Sequence, residues 1–258
     1  MSWIVTAFAL LGLSILAQSV LSNVHRARIA ILFQLAIGAA LVMSGVYAYS
    51  LAPGVGESLS GPTLGLAGYR FDFTPTLYLD ARNGLLLAML GLVLPLDFFW
   101  LRESFAPAGA GFFISADLLT IGLIGAFIAD SLLLFYVFFE VSLIGAYFWI
   151  GLYGTAERKG SGEFGALTRF LIFTLFGSLA MLVSIALVVA NAGADVRLSN
   201  LTATVAELPQ TVRHWSAAGF FLAFSVKMPL FLFHGWMRET YRSAPAAARA
   251  ILSAGMSK

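Results

Sequence analysis

Long apolar stretches recur from one end of this sequence to the other. An uninterrupted apolar run of about 18 or more residues is typical of a helix that crosses a lipid bilayer. Only 11% of the 258 residues are charged, whereas soluble domains average about 25%. So few charges could not cover the surface of a water-soluble protein of this length. The sequence therefore predicts an all-α, polytopic membrane protein.

We predict seven complete membrane-spanning helices and the start of an eighth, so about seven or eight in total. Pro229 lacks a backbone N–H and is expected to interrupt the seventh helix. We divide the chain into residues 1–110, with three helices and an extramembrane loop at 51–82, and residues 111–258, with the remaining helices. The predicted spans are Trp3–Leu21, Ile29–Ser50, Asn83–Leu101, Gly111–Ala129, Ser131–Tyr153, Phe170–Ala190, Ala217–Trp236 and a run that begins at Ala246.

Two of the connecting segments carry patterns of their own. In the 51–82 loop, residues 69–73 and 76–79 alternate between apolar and polar side chains on either side of Thr74 and Pro75, which predicts a small hairpin turning there. Between residues 195 and 215, apolar side chains recur at helical spacing, which predicts a short amphipathic helix on the membrane surface. Those side chains are Leu198, Leu201, Val205, Leu208 and Val212.

The distribution of basic residues predicts how the chain is oriented. Connections after odd-numbered helices carry nine Lys and Arg residues, and connections after even-numbered helices carry four. Because cytoplasmic loops are the ones enriched in Lys and Arg, the side with nine is expected to be cytoplasmic. We therefore expect a multi-pass protein of the bacterial inner membrane with a periplasmic N-terminus.

Composition also excludes several classes of function. The net charge is only +2, with no basic cluster, so nucleic-acid binding has no support. The absence of cysteine excludes disulfides, thiolate metal sites and cysteine-ligated iron–sulfur clusters. With three widely spaced histidines, a metal or haem site is not expected, and we predict no cofactor in this chain. The five tryptophans lie near predicted helix ends, which is typical of an interfacial aromatic belt.

Four ionisable residues fall inside predicted helices, where a charge is costly unless it is paired or hydrated. Glu140 and Lys227 lie in the middle of their helices, among large apolar residues. Asp97 and Asp117 lie within two turns of a helix end or could extend toward the interface, so a structural or topological role is favoured for them.

Glu140 and Lys227 have the chemistry of a proton-transfer pair. Burial favours the neutral form of each group, and their mutual attraction favours the charged forms, so a small change releases or captures a proton. The alternative is a static ion pair that fixes helix packing, although buried pairs are weak evidence for stability alone. His234 follows Lys227 by seven residues, near the same helix face, and is either a proton relay or an interfacial histidine bonded to a loop.

The segments 130–140, 169–182 and 223–236, with Ser243-Ala-Pro245 after them, resemble the antiporter-like family of proton-pumping membrane subunits. That family includes subunits of NADH:quinone oxidoreductase (respiratory complex I), Mrp-type sodium/proton antiporters and energy-converting hydrogenases. The resemblance implies that Glu140 and Lys227 form the proton-input pair and that Lys258 passes the proton to the centre of the membrane. It also implies other membrane subunits as partners and no redox chemistry in this chain.

The resemblance has two departures. The loop after His234-Gly-Trp236 lacks the family's proline, aspartate and second histidine, and Leu232 replaces a frequent second proline. Family members have about fourteen helices, in two inverted repeats. Residues 111–258 correspond to the first repeat, from the fourth predicted helix of this chain to the eighth, within which the sequence ends. We expect another chain to supply the C-terminal half; a truncated product is the alternative. The leading function is proton translocation, and the alternatives are a Na⁺/H⁺ antiporter subunit or a non-conducting structural half.

Overall fold

The computed structural model describes residues 1–21, 23–51, 54–65, 72–100, 109–153, 163–244 and 246–253. Ten α-helices and four short strands lie within these ranges. The helices are α1 (Ser2–Val20), α2 (Asn23–Ser50), α3 (Ala81–Trp100), α4 (Ala110–Ile128), α5 (Leu132–Tyr153), α6 (Glu163–Ala192), α7 (Leu201–Glu207), α8 (Gln210–Lys227), α9 (Gly235–Ser243) and α10 (Ala246–Ile251). The strands are β1 (Glu57–Ser60), β2 (Leu64–Gly65), β3 (Asp72–Phe73) and β4 (Thr76–Leu79).

Helices α1 to α6 are each long and apolar enough to cross a membrane, and within the described ranges these are the six that meet that standard. They coincide with the first six predicted spans, so the all-α, multi-pass class is confirmed. The seventh predicted span is divided into α8 and α9, with a turn region at 228–234 between them. The total of seven or eight membrane spans stays a prediction.

Consecutive helices pack side by side because the connections between them are short or folded back. The pairs α2–α3, α4–α5 and α6–α8 make the most extensive contacts, and α1 packs against α2 and α4. Between α4 and α5 the backbones come close at two glycines: a Cβ at Gly122 would lie 2.6 Å from Ser142 Cα, and a Cβ at Gly145 would lie 2.7 Å from Leu119 Cα. Small residues at such crossings allow membrane helices to pack tightly.

The predicted hairpin in the 51–82 loop exists, but its strand pairing differs from the prediction. β1 pairs antiparallel with β4, from Glu57 opposite Leu79 to Ser60 opposite Thr76, and β2 pairs with β3. Residues 72–73 and 76–79 therefore follow one another along the same arm, and the predicted turn at Thr74-Pro75 is wrong. Alternation identifies a half-exposed strand without identifying its partner, which is why the sequence misplaced the turn.

Two contacts attach this hairpin to the helices. The carboxylate of Glu57 accepts a short hydrogen bond from the hydroxyl of Tyr47, near the end of α2, and its Oε2 accepts one from the amine of Met1 at 2.9 Å. The hydrogen bond from Tyr47, followed by the contact with the amine, holds the pKa of Glu57 below its usual range. The start of the hairpin is thus tied to the ends of α1 and α2.

Asp130, in the tight connection between α4 and α5, joins three loops on one side of the bundle. Its backbone N–H donates to Thr76 O at 2.8 Å, and its Oδ1 and Oδ2 accept bonds from the backbone N–H and the hydroxyl of Ser199, at 2.8 and 3.1 Å. Isolated bridges pair Leu77 with Ala129 and Ser131 with Arg197. The connections after α2, α4 and α6 therefore lie on the same side, as the predicted alternation of helices requires.

The segment between α6 and α8 is helical from Leu198 to Glu207, in agreement with the predicted amphipathic helix. A 3₁₀ turn at Leu198–Asn200 leads directly into α7. Leu208 is buried, and the other apolar side chains of the pattern are partly buried against the core. The helix is shorter than predicted because Pro209 separates α7 from α8.

Candidate functional site: a broken helix with a buried lysine

The seventh predicted span breaks immediately after Lys227. Pro229 has no N–H to donate, and the next amide, of Leu230, bonds to Ser225 O at 2.9 Å, one residue earlier than a regular helix would require. Val226 O is left outside this ladder and accepts the indole N–H of Trp236 at 3.1 Å. A side chain beyond the break therefore satisfies a carbonyl before it, which holds the two half-helices together.

This contact corrects the interpretation of the tryptophans as an interfacial belt. Trp3 and Trp215 are exposed, as that interpretation requires, but Trp236 and Trp149 are buried. The ring of Trp236 lies edge-on to Phe170 of α6, with centroids 5.5 Å apart. Position near a helix end could not distinguish a side chain facing lipid from one closing a helix break.

Leu232, within the break, has a φ of +82°. A non-glycine residue with positive φ is unusual, and proline cannot adopt this conformation because its ring holds φ near −65°. The departure from the family's frequent second proline therefore permits a backbone path that a proline would exclude. Strained backbone of this kind persists where the surrounding structure over-determines it, and it concentrates at functional sites.

The ammonium group of Lys227 lies at the last residue of α8, inside the bundle. Its Nζ is buried and has no hydrogen-bond partner among the described residues. It is placed over the ring of Phe139, in α5, at 4.3 Å from the centroid. An aromatic face attracts a cation but does not replace the hydrogen bonds that the amine would make in water. Lys227 is thus held where its charge is weakly compensated.

Glu140 lies next to Phe139 on α5, so it directly follows the residue whose ring lies under the Lys227 amine. Its Oε1 is buried without a hydrogen-bond partner in the described structure. The ion pairs formed within the described ranges do not include one between Glu140 and Lys227. The two predicted partners are therefore brought to the same region without being in direct contact.

Glu140 and Lys227 each line a different space in the bundle, and the two spaces share lining residues. Glu140 lines a groove of about 370 Å³ between α5 and α6, and Lys227 lines a cavity of about 10 Å³ between α5, α6 and α8. Leu143 and Thr174 line both spaces. A cavity of roughly this size holds one water molecule when polar partners are present. Lys227, Thr174 and Ser178 are among the residues around the small cavity, but the surface exposed to it is apolar.

Sequence reasoning missed three of these side chains: Phe139, Thr174 and Ser178. Thr174 and Ser178 are one turn apart on α6, and each also donates to a carbonyl of its own helix, at 2.6 and 3.4 Å. Small polar residues one turn apart in an apolar helix are a detectable signal of a polar helix face. Phe139 carried no such signal, because aromatic residues surround it on both sides in the sequence.

The remaining predicted site residues are not brought to this cavity. The same-face argument for His234 assumed a continuous helix, and that assumption is wrong because the helix breaks between residues 227 and 235. His234 is exposed and stacks on Phe231, with ring centroids 6.1 Å apart. Its role as a proton relay stays a prediction. Lys258 lies outside the described residues.

Asp117 differs from the expectation of a carboxylate that extends to the interface. It is only 2% exposed, between α1, α2 and α4, and it is bonded to Ser14 and Gln34. Asp97 is also buried, near the end of α3, and its Oδ2 has no partner in the described part of the chain. Neither side chain extends to the membrane surface, although both are close to a helix end in sequence.

These features define a class of protein. They are a bundle of apolar membrane helices, one of them broken, with a buried lysine at the break that has no hydrogen-bond partner among the described residues and a glutamate on α5. Irregular backbone at membrane depth is tolerated where protein groups satisfy it, and here the indole of Trp236 satisfies the carbonyl of Val226.

Comparison with known sequences gives the family. Residues 129–258, half of the chain, match the family described as NADH:quinone oxidoreductase/Mrp antiporter, transmembrane. The chain belongs to this family. It is 30% identical over 181 residues to NADH-quinone oxidoreductase subunit M of Escherichia coli. The matched region covers 69% of this chain and 36% of that protein.

Solved structures share the fold of this chain. A chain of respiratory complex I from Thermus thermophilus with bound NADH superposes with a TM-score of 0.75 and 28% identity, over 98% of this chain and 50% of that one. A chain of the Mrp complex from Dietzia shares the fold, with a TM-score of 0.72, 19% identity, and 97% and 46% coverage. This chain therefore spans about half the length of its structural neighbours.

Proposed function

We propose that this chain is a proton-translocating membrane subunit of a complex I-like NADH:quinone oxidoreductase, with residues 111–258 as its first repeat. The observation that carries the proposal is the Nζ of Lys227, buried at a helix break without a hydrogen-bond partner among the described residues. It lies over the ring of Phe139, the residue that precedes Glu140. Ionisable residues at membrane depth mark ion pathways more often than they stabilise a fold.

The chemistry follows from the balance between burial and attraction. While Glu140 is ionised, its charge favours the ammonium form of Lys227; when that charge is neutralised or moved, burial favours the free amine. The proton then leaves Lys227: an N–H bond of the ammonium breaks and an O–H bond forms on a water molecule in the small cavity. His234 and Lys258 are proposed as later proton carriers.

Energy for this step would come from other subunits, since we propose no redox group or metal in this chain. Its partners would be other membrane subunits of the same assembly and the lipid bilayer, with no nucleic acid. The relatives are longer than this sequence. The part of them that it does not match would correspond to a further polypeptide segment, either in a second chain or in a longer form of this one.

The function is tested by neutralising Glu140 in the assembled complex. Glu140→Gln keeps the size of the side chain and removes its charge, so Lys227 loses the attraction that favours its proton. We expect the ratio of protons translocated to electrons transferred to fall in proteoliposomes, while the complex remains assembled. Glu207→Gln, at an exposed position of α7, is the matched control and is expected to leave the ratio unchanged.

An unchanged ratio in Glu140→Gln would contradict the proposal and favour a structural half-subunit. The second candidate is a Na⁺/H⁺ antiporter subunit, which is supported by the fold shared with the Mrp complex. The two are distinguished by the assembly that co-purifies with the chain. Peripheral subunits with redox centres favour the first, and small membrane subunits with Na⁺-dependent proton flux favour the second.

We also propose that the protein lies in a bacterial inner membrane with its N-terminus in the periplasm. The chain has no cysteine, so single introduced cysteines report sidedness without background. Ser58→Cys, on the exposed hairpin, is expected to react with an impermeant maleimide in spheroplasts, and Gly165→Cys, at the opposite end of the bundle, is not. Inverted vesicles should reverse the labelling, and the opposite result in either preparation would contradict this orientation.

A further inference from the structure

A second buried polar site lies on the other side of α4 from the helices α6 and α8. Asp117 is 2% exposed and joins three helices. Its Oδ2 accepts the hydroxyl of Ser14, in α1, at 2.7 Å, and its Oδ1 accepts Nε2 of Gln34, in α2, at 2.7 Å. Ser14 and Gln34 are each 1% exposed. The site is therefore a closed, fully buried contact between α1, α2 and α4.

No cation in the described structure balances a charge at this position. The elements packed against α4 are α1, α2, α3, α5 and β4. Helix α1 has no ionisable side chain, and Asp117 forms no ion pair with the described groups of the others. Those groups are His25, Arg26, Arg28, Tyr47 and Tyr49 in α2, Arg82 and Asp97 in α3, Tyr136, Glu140, Tyr147 and Tyr153 in α5, and Tyr78 in β4.

Two neutral hydrogen bonds do not offset the cost of burying an ionised carboxylate. Transfer of an isolated carboxylate into a low-dielectric interior is strongly unfavourable even after relaxation, and such groups take up a proton instead. Ser14 and Gln34 each supply one hydrogen bond from a neutral donor, which offsets only a small part of that cost. Asp117 therefore lies where a proton is the simplest means of neutralising its charge.

Gln34 is suited to both protonation states of this carboxyl. In the orientation that the Gln34 amide has in the structure, its Nε2 donates to Asp117. Its Oε1 is buried without a partner within the described part of the chain. Rotation of the amide by about 180° exchanges the two atoms, which are equivalent in shape. The unpartnered Oε1 then accepts an O–H from Asp117, and Ser14 continues to donate to the other oxygen.

We propose that Asp117 is a proton-binding site, with Gln34 as its responsive partner, separate from the Glu140–Lys227 pair. Protonation forms an O–H bond on Oδ1 as an O–H bond of a hydronium ion breaks, leaving water.

The Asp117 site lies well away from Glu140 along the bundle. Because Gly122 packs on Ser142 in antiparallel helices, Glu140 lies at the level of residue 124 of α4. At ~1.5 Å per residue, this is about 10 Å from Asp117 along the helix axis.

The proton has a polar route from the connection between α1 and α2. Gln18 is fully buried one turn from Ser14 on the same face of α1, and its Oε1 has no partner in the described ranges. Its Nε2 donates to Arg26 O at 3.4 Å, at the entrance of α2. Gln18 and Ser14 thus form a short line of buried polar groups that leads from that helix end to Asp117.

Infrared difference spectroscopy during a pH titration tests this site in the assembled complex in lipid vesicles. The carbonyl stretch of a protonated, buried carboxyl is resolved from those of carboxylates and amides. We expect Asp117→Asn to lose one such band completely. Gln34→Leu is expected to keep the band and shift its frequency, because the acid loses its acceptor, and Asp97→Asn is expected to leave the Asp117 band in place.

Two outcomes would overturn the proposal. If no protonated carboxyl band is lost in Asp117→Asn and none shifts in Gln34→Leu, Asp117 is ionised throughout. If the carboxylate bands of the parent respond to Na⁺ at constant pH and those of Asp117→Asn do not, the group is neutralised by a metal cation instead. Should Asp117→Asn fail to assemble, Ser14→Ala replaces it, because loss of the Ser14 hydroxyl must also shift the band.

Discussion

Replacing Lys227 by alanine is expected to reduce proton translocation at least about tenfold while the membrane assembly remains intact. A positioned proton-transfer group contributes roughly 10²- to 10⁴-fold to the rates in which it takes part, and Lys227 is the buried amine at the helix break. The fold should tolerate its loss, because the amine has no hydrogen bond within the described residues to lose. Its charge is also costly to bury. Proton flux and electron transfer in proteoliposomes measure the effect.

Lys227→Arg separates proton release from simple charge. Arginine keeps a positive charge near Glu140 but does not deprotonate under physiological conditions. If Lys227 must release its proton, Lys227→Arg will be as defective as Lys227→Ala. If the residue only completes an ion pair that fixes helix packing, Lys227→Arg will restore translocation, and that result would contradict the proton-transfer role. Equal amounts of assembled complex in the two variants are the required control.

The sequence was sufficient to place the membrane-spanning helices and to single out two charges inside them; that Glu140 and Lys227 act as a pair stays a prediction. Apolar runs of membrane-spanning length determine α1 to α6, because few other structures can bury them. Glu140 and Lys227 were recognisable because a charge within such a run needs a reason. The break after Lys227 was predictable from Pro229, which cannot donate to the helix ladder.

The surroundings of Asp117 and Trp236 could not be predicted from the sequence, because they depend on contacts between residues that are distant along the chain. The donors to Asp117 come from positions 103 and 83 residues away, so nothing near Asp117 distinguished a buried site from an interfacial carboxylate. Trp236 was misplaced for a similar reason, since the carbonyl it satisfies becomes available only after the helix breaks. His234 shows the opposite error: periodicity was extended through the same break that the proline predicted.

Gly122→Val is expected to destabilise the chain by at least ~1–3 kcal/mol, the usual cost of overpacking a close contact. A Cβ at Gly122 would lie 2.6 Å from the Cα of Ser142, so the backbones of α4 and α5 must separate. Because α5 carries Phe139 and Glu140, separation also displaces these groups relative to Lys227. We expect a lower thermal midpoint for the purified assembly and reduced proton translocation.

Gly12→Val is the matched control. Gly12 lies in α1 with no neighbouring atom within 4 Å of a Cβ, so this variant adds the same side chain and should change neither the thermal midpoint nor proton translocation. Equal thermal midpoints for the two variants would show that the α4–α5 contact does not hold the proton site in place.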